Sequence, residues 1–414
     1  MRRPLIAGVC LALAVAAAGC GKAEEQNSSS GGGGGSNGPG VTDKTITLGA
    51  LMDLTNVFAA GSKGILEGTN LYWDSVNADG GVCGRQVKLD VQDHGYDPQK
   101  AVSLYRDMSP NVLGVMVLGS PVISALKPSF DQDDMLVTMA AWTSTVLPDE
   151  HFLITGATYD LETINAIDWL TREHGLQKGD TVGIVYFEGD YGGNALQGAQ
   201  YAADKLGLTL QPYSIKPSDT DLSAQVNSMK DAGVKAILVG AAAPQSASIA
   251  SVAASIGLDV PIVGNDPSFG AAVLNTPAAP ALEKNFYVSG SVAPPSLDAT
   301  SVKEFLTAFQ KAHPDEQPDQ NGAMYGYATG QIVHEVLSKS CDDLTREGVL
   351  KALRGITAYD SGGSVAGTLD YSDPSVPPTR EVYISQADSS VPGGLKKVSD
   401  AFESDLAKQY TFGG

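Results

Sequence analysis

DTVGIVYFEGDYGGNALQGAQYAADKLGL, residues 180–208, reads as a strand, a turn and a helix in succession. Thr181 to Phe187 is a run of β-branched and aromatic residues with the length of a fully buried strand, and Glu188-Gly189-Asp190 breaks it. From Gly192 onward apolar residues recur near helical spacing at Ala195, Leu196, Ala199, Ala202, Ala203 and Leu206, and Gly207 stands where a left-handed cap ends a helix. Such a unit places its turn at the carboxyl end of a parallel sheet, where open α/β sheets bind their ligands. Tyr191 is therefore a candidate binding residue.

The same rhythm extends in both directions. Strand-like runs occur at 45–52, 87–91, 112–118, 135–140 and 152–155, and again at 181–187, 209–215, 236–240, 261–264 and 286–289. Segments of helical spacing lie between most of them, at 62–79, 98–109, 121–133, 161–175, 193–206, 221–232 and 245–256. Strands alternating with helices mean βαβ units, so the fold class is α/β, with two similar doubly wound lobes. Beyond 290 the pattern changes to helices at 300–312, about 324–339 and 345–353, expected to pack back on the first lobe. A strand at 381–385 and an amphipathic segment at 399–409 close the chain. The expected division is 43–160 with 291–370 as lobe I and 161–290 with 371–414 as lobe II. Two lobes joined by several crossings leave a hinge and a cleft between them.

Hydrophobic residues make up 43% of the 414, enough for globular cores. The formal charge of −20 becomes −22 once Arg2 and Arg3 leave with a leader. Such a surface repels phosphate backbones, which excludes nucleic acid as a natural partner; the plainer reading of the charge is solubility.

The opening MRRPLIAGVCLALAVAAAGC has two arginines, a short apolar run and small residues before Cys20, the shape of an export signal over residues 1–19. Ala17-Ala18-Gly19-Cys20 resembles a bacterial lipobox, which implies lipidation of Cys20; the alternative is ordinary secretion. Residues 20–42 form a Gly/Ser-rich tract suited to a flexible tether, with a reach of about 25 Å. Setting Cys10 and Cys20 aside leaves Cys83 and Cys341, either one disulfide worth about 5 kcal/mol in the chain-entropy account or two buried thiols.

Catalytic signatures are missing: there is no G-x-S-x-G, no phosphate-binding loop of the Walker type and no H-E-x-x-H. Ser124-Ala-Leu-Lys127 matches S-x-x-K without its partner motif, and the five histidines show no ligand spacing. Neither a metal nor a cofactor is expected, and no enzyme activity.

Several pieces in order, LGALMDLT, NADGGVCGR, DHGYDPQKAV, VLGSP, the D-Y-G turn, AILVG and IVGND, resemble the type I periplasmic solute-binding proteins of the branched-chain amino-acid group of ABC transporters. The resemblance implies that Ser120 and the turn Ala140, Ala141, Trp142 and Thr143 hold a ligand carboxylate, that Tyr191 lies against the ligand, and that Asp266 receives an ammonium. The chemistry fits, because hydroxyls and turn N–H groups bind a carboxylate without a full countercharge. The alternative for Ser120, Tyr191 and Asp266 is capping or turn formation. Ala241-Ala242-Ala243 replaces the aromatic that the family carries after AILVG, and Phe58, Trp142 and Phe269 either wall a differently shaped pocket or pack in the core. The resemblance further implies a monomeric, lipid-anchored extracytoplasmic protein that hands an amino acid or related small zwitterion to ABC transporter permease subunits. A ligand sensor for a membrane receptor and a secreted amide hydrolase are the rival readings.

Overall fold

The computed structural model describes residues 36–318 and 320–412, so the expected leader, Cys20 and the expected tether up to residue 35 lie outside the described residues. Apolar runs at 45–52, 114–118 and 136–140 are too continuous for a half-exposed strand, and they become the buried centre of a five-stranded, wholly parallel sheet. Its order is Gln86–Asp93, Thr45–Met52, Gly114–Leu118, Leu136–Ala140, Phe152–Leu153. A second sheet has seven strands, with Thr181–Phe187, Ala236–Gly240 and Ile262–Asn265 side by side at its centre. Thr209–Ile215 is one edge; at the other Phe286–Gly290 pairs antiparallel with Tyr383–Ala387, which pairs with Leu395–Lys397. Helices follow the parallel strands, and the turns after several of these strands meet around one cavity.

Some elements differ from the sequence expectation. The last residues of the tract expected to be a tether are held in place: Ser36–Asn37 pairs in parallel with Asp343–Leu344, and Gly38 donates its N–H to Leu344 O at 2.8 Å. The 399–409 segment is helical only at Asp405–Gln409. Its first half is held extended, because Val382 and Phe402 exchange backbone hydrogen bonds and Ser399 Oγ accepts the Ile384 N–H at 2.9 Å. Helix Ala279–Asn285 and strand Leu395–Lys397 have too few residues for a readable period. The late helix Tyr325–Lys339 packs on Ala59–Ala78, with Tyr72 Oη 2.7 Å from His334 Nδ1, and Cys83 is bonded to Cys341 at a Cα–Cα distance of 5.4 Å.

The crossings between the two sheets run near residues 154–158, 290–293 and 371–382. Ser291 ties them together: its Oγ accepts the Ala157 N–H at 2.7 Å and donates to Glu381 O at 3.0 Å.

Candidate functional site

The site is assembled from strand-end turns. After strand Thr45–Met52, buried Asp53 accepts the N–H groups of Asn56 at 2.7 Å and Phe58 at 2.9 Å, which shapes the turn presenting Phe58. The Phe58 ring lies 5.1 Å from Tyr96 and 6.4 Å from Phe187 of the opposite sheet. Tyr96 occupies a left-handed conformation, φ 60°, with its N–H donated to His94 Nδ1 at 2.9 Å. Gly119 is required beside it: its φ is 100°, and a Cβ there would sit 2.7 Å from the Tyr96 ring.

Ser120, Ala140, Ala141 and Trp142 follow at the ends of the next two strands and line one cavity of about 230 Å³ together with Phe58 and Tyr96. Trp142 meets Tyr325 and Tyr159 edge to face, with ring centroids 4.7 Å and 5.7 Å away, and its carbonyl accepts the Tyr159 N–H at 2.8 Å. Tyr159 and Tyr191 lie 4.5 Å apart, and Tyr191 Oη donates to Ala241 O at 3.1 Å, leaving its ring on the wall. The remaining wall is Ala242, Ala243, Pro244, Pro267, Phe269 and Ala272 with their neighbours. Burial in this apolar setting pushes the Tyr159 and Tyr191 phenols well above their ordinary range.

No charged side chain lines the cavity among the described residues. Three wall residues nevertheless carry buried polar atoms with no hydrogen-bond partner among the described residues: Ser62 Oγ, Ser120 Oγ and Trp142 Nε1. The indole N–H can only donate. Helices Ala59–Ala78, Ser120–Asp133 and Ala243–Ser255 begin at this cavity, and none has a side-chain cap. Their positive ends add to a field that favours an acceptor or an anion.

Two residues expected on the ligand do not line this cavity. Thr143 lies off the wall: its hydroxyl accepts the Thr145 N–H at 3.2 Å and donates to Asp190 at 3.2 Å, which latches the two lobes. Asn194 adds to the latch, donating to Ser144 Oγ at 2.8 Å, while Ser144 Oγ donates to Asp160 at 2.6 Å. Asp266 is fully buried behind the wall, hydrogen-bonded to the Glu162 carboxyl and to backbone N–H groups at Ser291 and Val292. Its carboxyl lies against Gly290, where no Cβ would fit. Burial pushes both carboxyls up, and the neighbouring Asp266 charge adds to the rise at Glu162.

Ser62, Tyr96 and Tyr159 are on the wall without having been singled out from sequence. Tyr96 stands in the quoted DHGY motif; Ser62 and Tyr159 lie within the first turns of helices, where a strand-end site reaches. Elsewhere, Asp131, Asp149 and His151 bring ligand-type atoms within 4.8 Å of one another, and Lys127 occupies the cluster, 3.1 Å from Asp131. No helix among the described residues is long and apolar enough to cross a membrane.

Comparison with known proteins agrees with this architecture. A fatty acid ABC transporter substrate-binding protein from Thermomonospora curvata is 42% identical and superposes with a TM-score of 0.88, covering 91% of this chain and 97% of that one. A branched-chain amino acid ABC transporter protein from Thermus thermophilus with bound valine shares the fold at 18% identity, with a TM-score of 0.79 over 90% of this chain and 99% of that one. By sequence, a Leu/Ile/Val-binding protein homolog from Brucella melitensis is 23% identical over 79% of this chain and 87% of its own length. Residues 45–392 match the periplasmic binding protein family model, and the chain belongs to that family as a substrate-binding protein of ABC transporters.

Proposed function

We propose that this protein captures a carboxylic acid with an apolar body, of the fatty-acid class, and delivers it unchanged to the permease of an ABC importer. One observation carries the proposal: a cavity without a charged wall residue holds a donor-only Trp142 Nε1 beside unpartnered Ser62 and Ser120 hydroxyls. Neutral donors and helix N-termini hold a carboxylate, and the apolar remainder accepts hydrocarbon. The name of the 42% identical relative supports the same class. Anchoring through a lipid on Cys20 is part of the proposal, checked by the intact mass of membrane-extracted protein.

A branched-chain amino acid is the second reading, supported by the Leu/Ile/Val-binding relatives. It would need a partner for the ammonium, and the described wall offers no carboxylate. Thermal unfolding of the protein stripped of carried-over ligand separates the two. At a hundred times its dissociation constant a ligand stabilises by about 2.7 kcal/mol. Stabilisation by monocarboxylic acids with silence from amino acids is expected; the reverse outcome establishes the second reading.

A further inference from the structure

We infer that the acid lies carboxylate inward and tail outward, with the tail end left open between the lobes, so that the protein accepts a family of chain lengths. The inference rests on the proposed acid ligand.

The wall of the cavity is graded by burial. Its unpartnered polar atoms belong to Ser62, Ser120 and Trp142, all buried. The same cavity is also lined by Ala60, Pro244 and Ala272, which are exposed and so mark its mouth. These three come from both lobes, carry no polar side-chain atom, and are too small to form a plug.

The reverse orientation would leave the carboxylate in water at the mouth but lay methylenes against the buried indole N–H and two hydroxyls, leaving these donors unmet at a cost that water at the mouth does not offset. Head-inward binding satisfies both ends. A tail longer than the cavity then emerges over Ala60 and Ala272 instead of meeting a wall. Length selection is accordingly one-sided: short acids lose buried methylenes, whereas long acids lose nothing.

Titrating the stripped full chain with saturated monocarboxylic acids of increasing length tests this, alongside their methyl esters and a long acid bearing a bulky dye at its far end. Affinity should rise about fourfold per methylene while the tail is inside, then level off. The dye-bearing acid should bind as tightly as the plain acid of equal length, and the esters should bind weakly. Ala272→Trp, an exposed substitution, should weaken long acids and spare short ones. A sharp upper length limit, or loss of the dye-bearing acid while plain acids bind, overturns the orientation and leaves the acid ligand standing. Failure of every acid to bind overturns both.

Discussion

The two halves of the cavity wall are built by the same topology and carry opposite chemistry. In the first lobe the turns after parallel strands, and the helices they open, bring Ser62, Ser120 and Trp142 to the wall, each with an unmet polar atom. In the second, equivalent turns bring Ala242, Ala243, Pro267 and Phe269, and the acid in that series, Asp266, is turned away to meet Glu162. The fold fixes where side chains are presented and supplies helix N-termini on both sides. Which end of a ligand each lobe holds is decided by single residues.

The strongest way to break that asymmetry is to put a charge on the apolar half. Ala243→Asp places a carboxylate on the half-buried apolar wall, against the ligand's hydrocarbon and in the same cavity as its acid. Covering a charge with hydrocarbon, with like-charge repulsion across the cavity added, costs several kcal/mol, so acid affinity should fall by about 3 kcal/mol, over a hundredfold. Calorimetric titration measures it. Unchanged affinity would mean that the ligand lies outside this cavity.

Removing donors from the polar half has a smaller effect. Trp142→Phe deletes the indole N–H while keeping an aromatic ring against Tyr159 and Tyr325, and Ser120→Ala deletes a hydroxyl. A hydrogen bond to a charged group contributes about 1.5–3 kcal/mol, so each variant should weaken an acid by that amount and its methyl ester by less. Equal losses for acid and ester would mean that packing, not hydrogen bonding, accounts for the effect.

This asymmetry also marks how far the sequence could be read. The parallel cores of both sheets were legible because strands such as 114–118 and 236–240 are continuous apolar runs, whose burial on both faces leaves a local signature. Ser120, Trp142, Tyr191 and Phe269 could be picked out as strand-end residues, and the cavity brings them together. Thr143 and Asp266 stand at equivalent positions in the chain, yet their side chains are directed by Asp190 and Glu162, residues 47 and 104 positions away. No local pattern reports such a partner. Ser62 was invisible for a related reason: a serine near a helix start reads as capping, and its unmet hydroxyl appears only once the cavity has closed around it.

Asp266 supplies the subtlest test, because it is buried off the cavity wall, where it is expected to act on stability and not on the ligand. Burial pushes its carboxyl up to about 7, from an ordinary value near 4 in the unfolded chain. Between those limits the folded protein binds more protons than the unfolded one. This contribution to stability is therefore complete below about pH 4 and is lost as the pH rises toward about 7, by at most about 1.4 kcal/mol per pH unit. Asp266→Asn keeps an oxygen for the N–H groups at Ser291 and Val292 and offers Glu162 a donor, but it does not titrate. Denaturant melts of the variant should show a flatter decline over that range, with acid affinity changed by less than about 0.5 kcal/mol, as for a residue off the binding surface. Retained pH dependence would place the titration on Glu162, whose carboxyl burial also pushes up. A loss of amino-acid binding confined to this variant would bring Asp266 back to the ligand, and the two halves of the wall would then hold two charges instead of one.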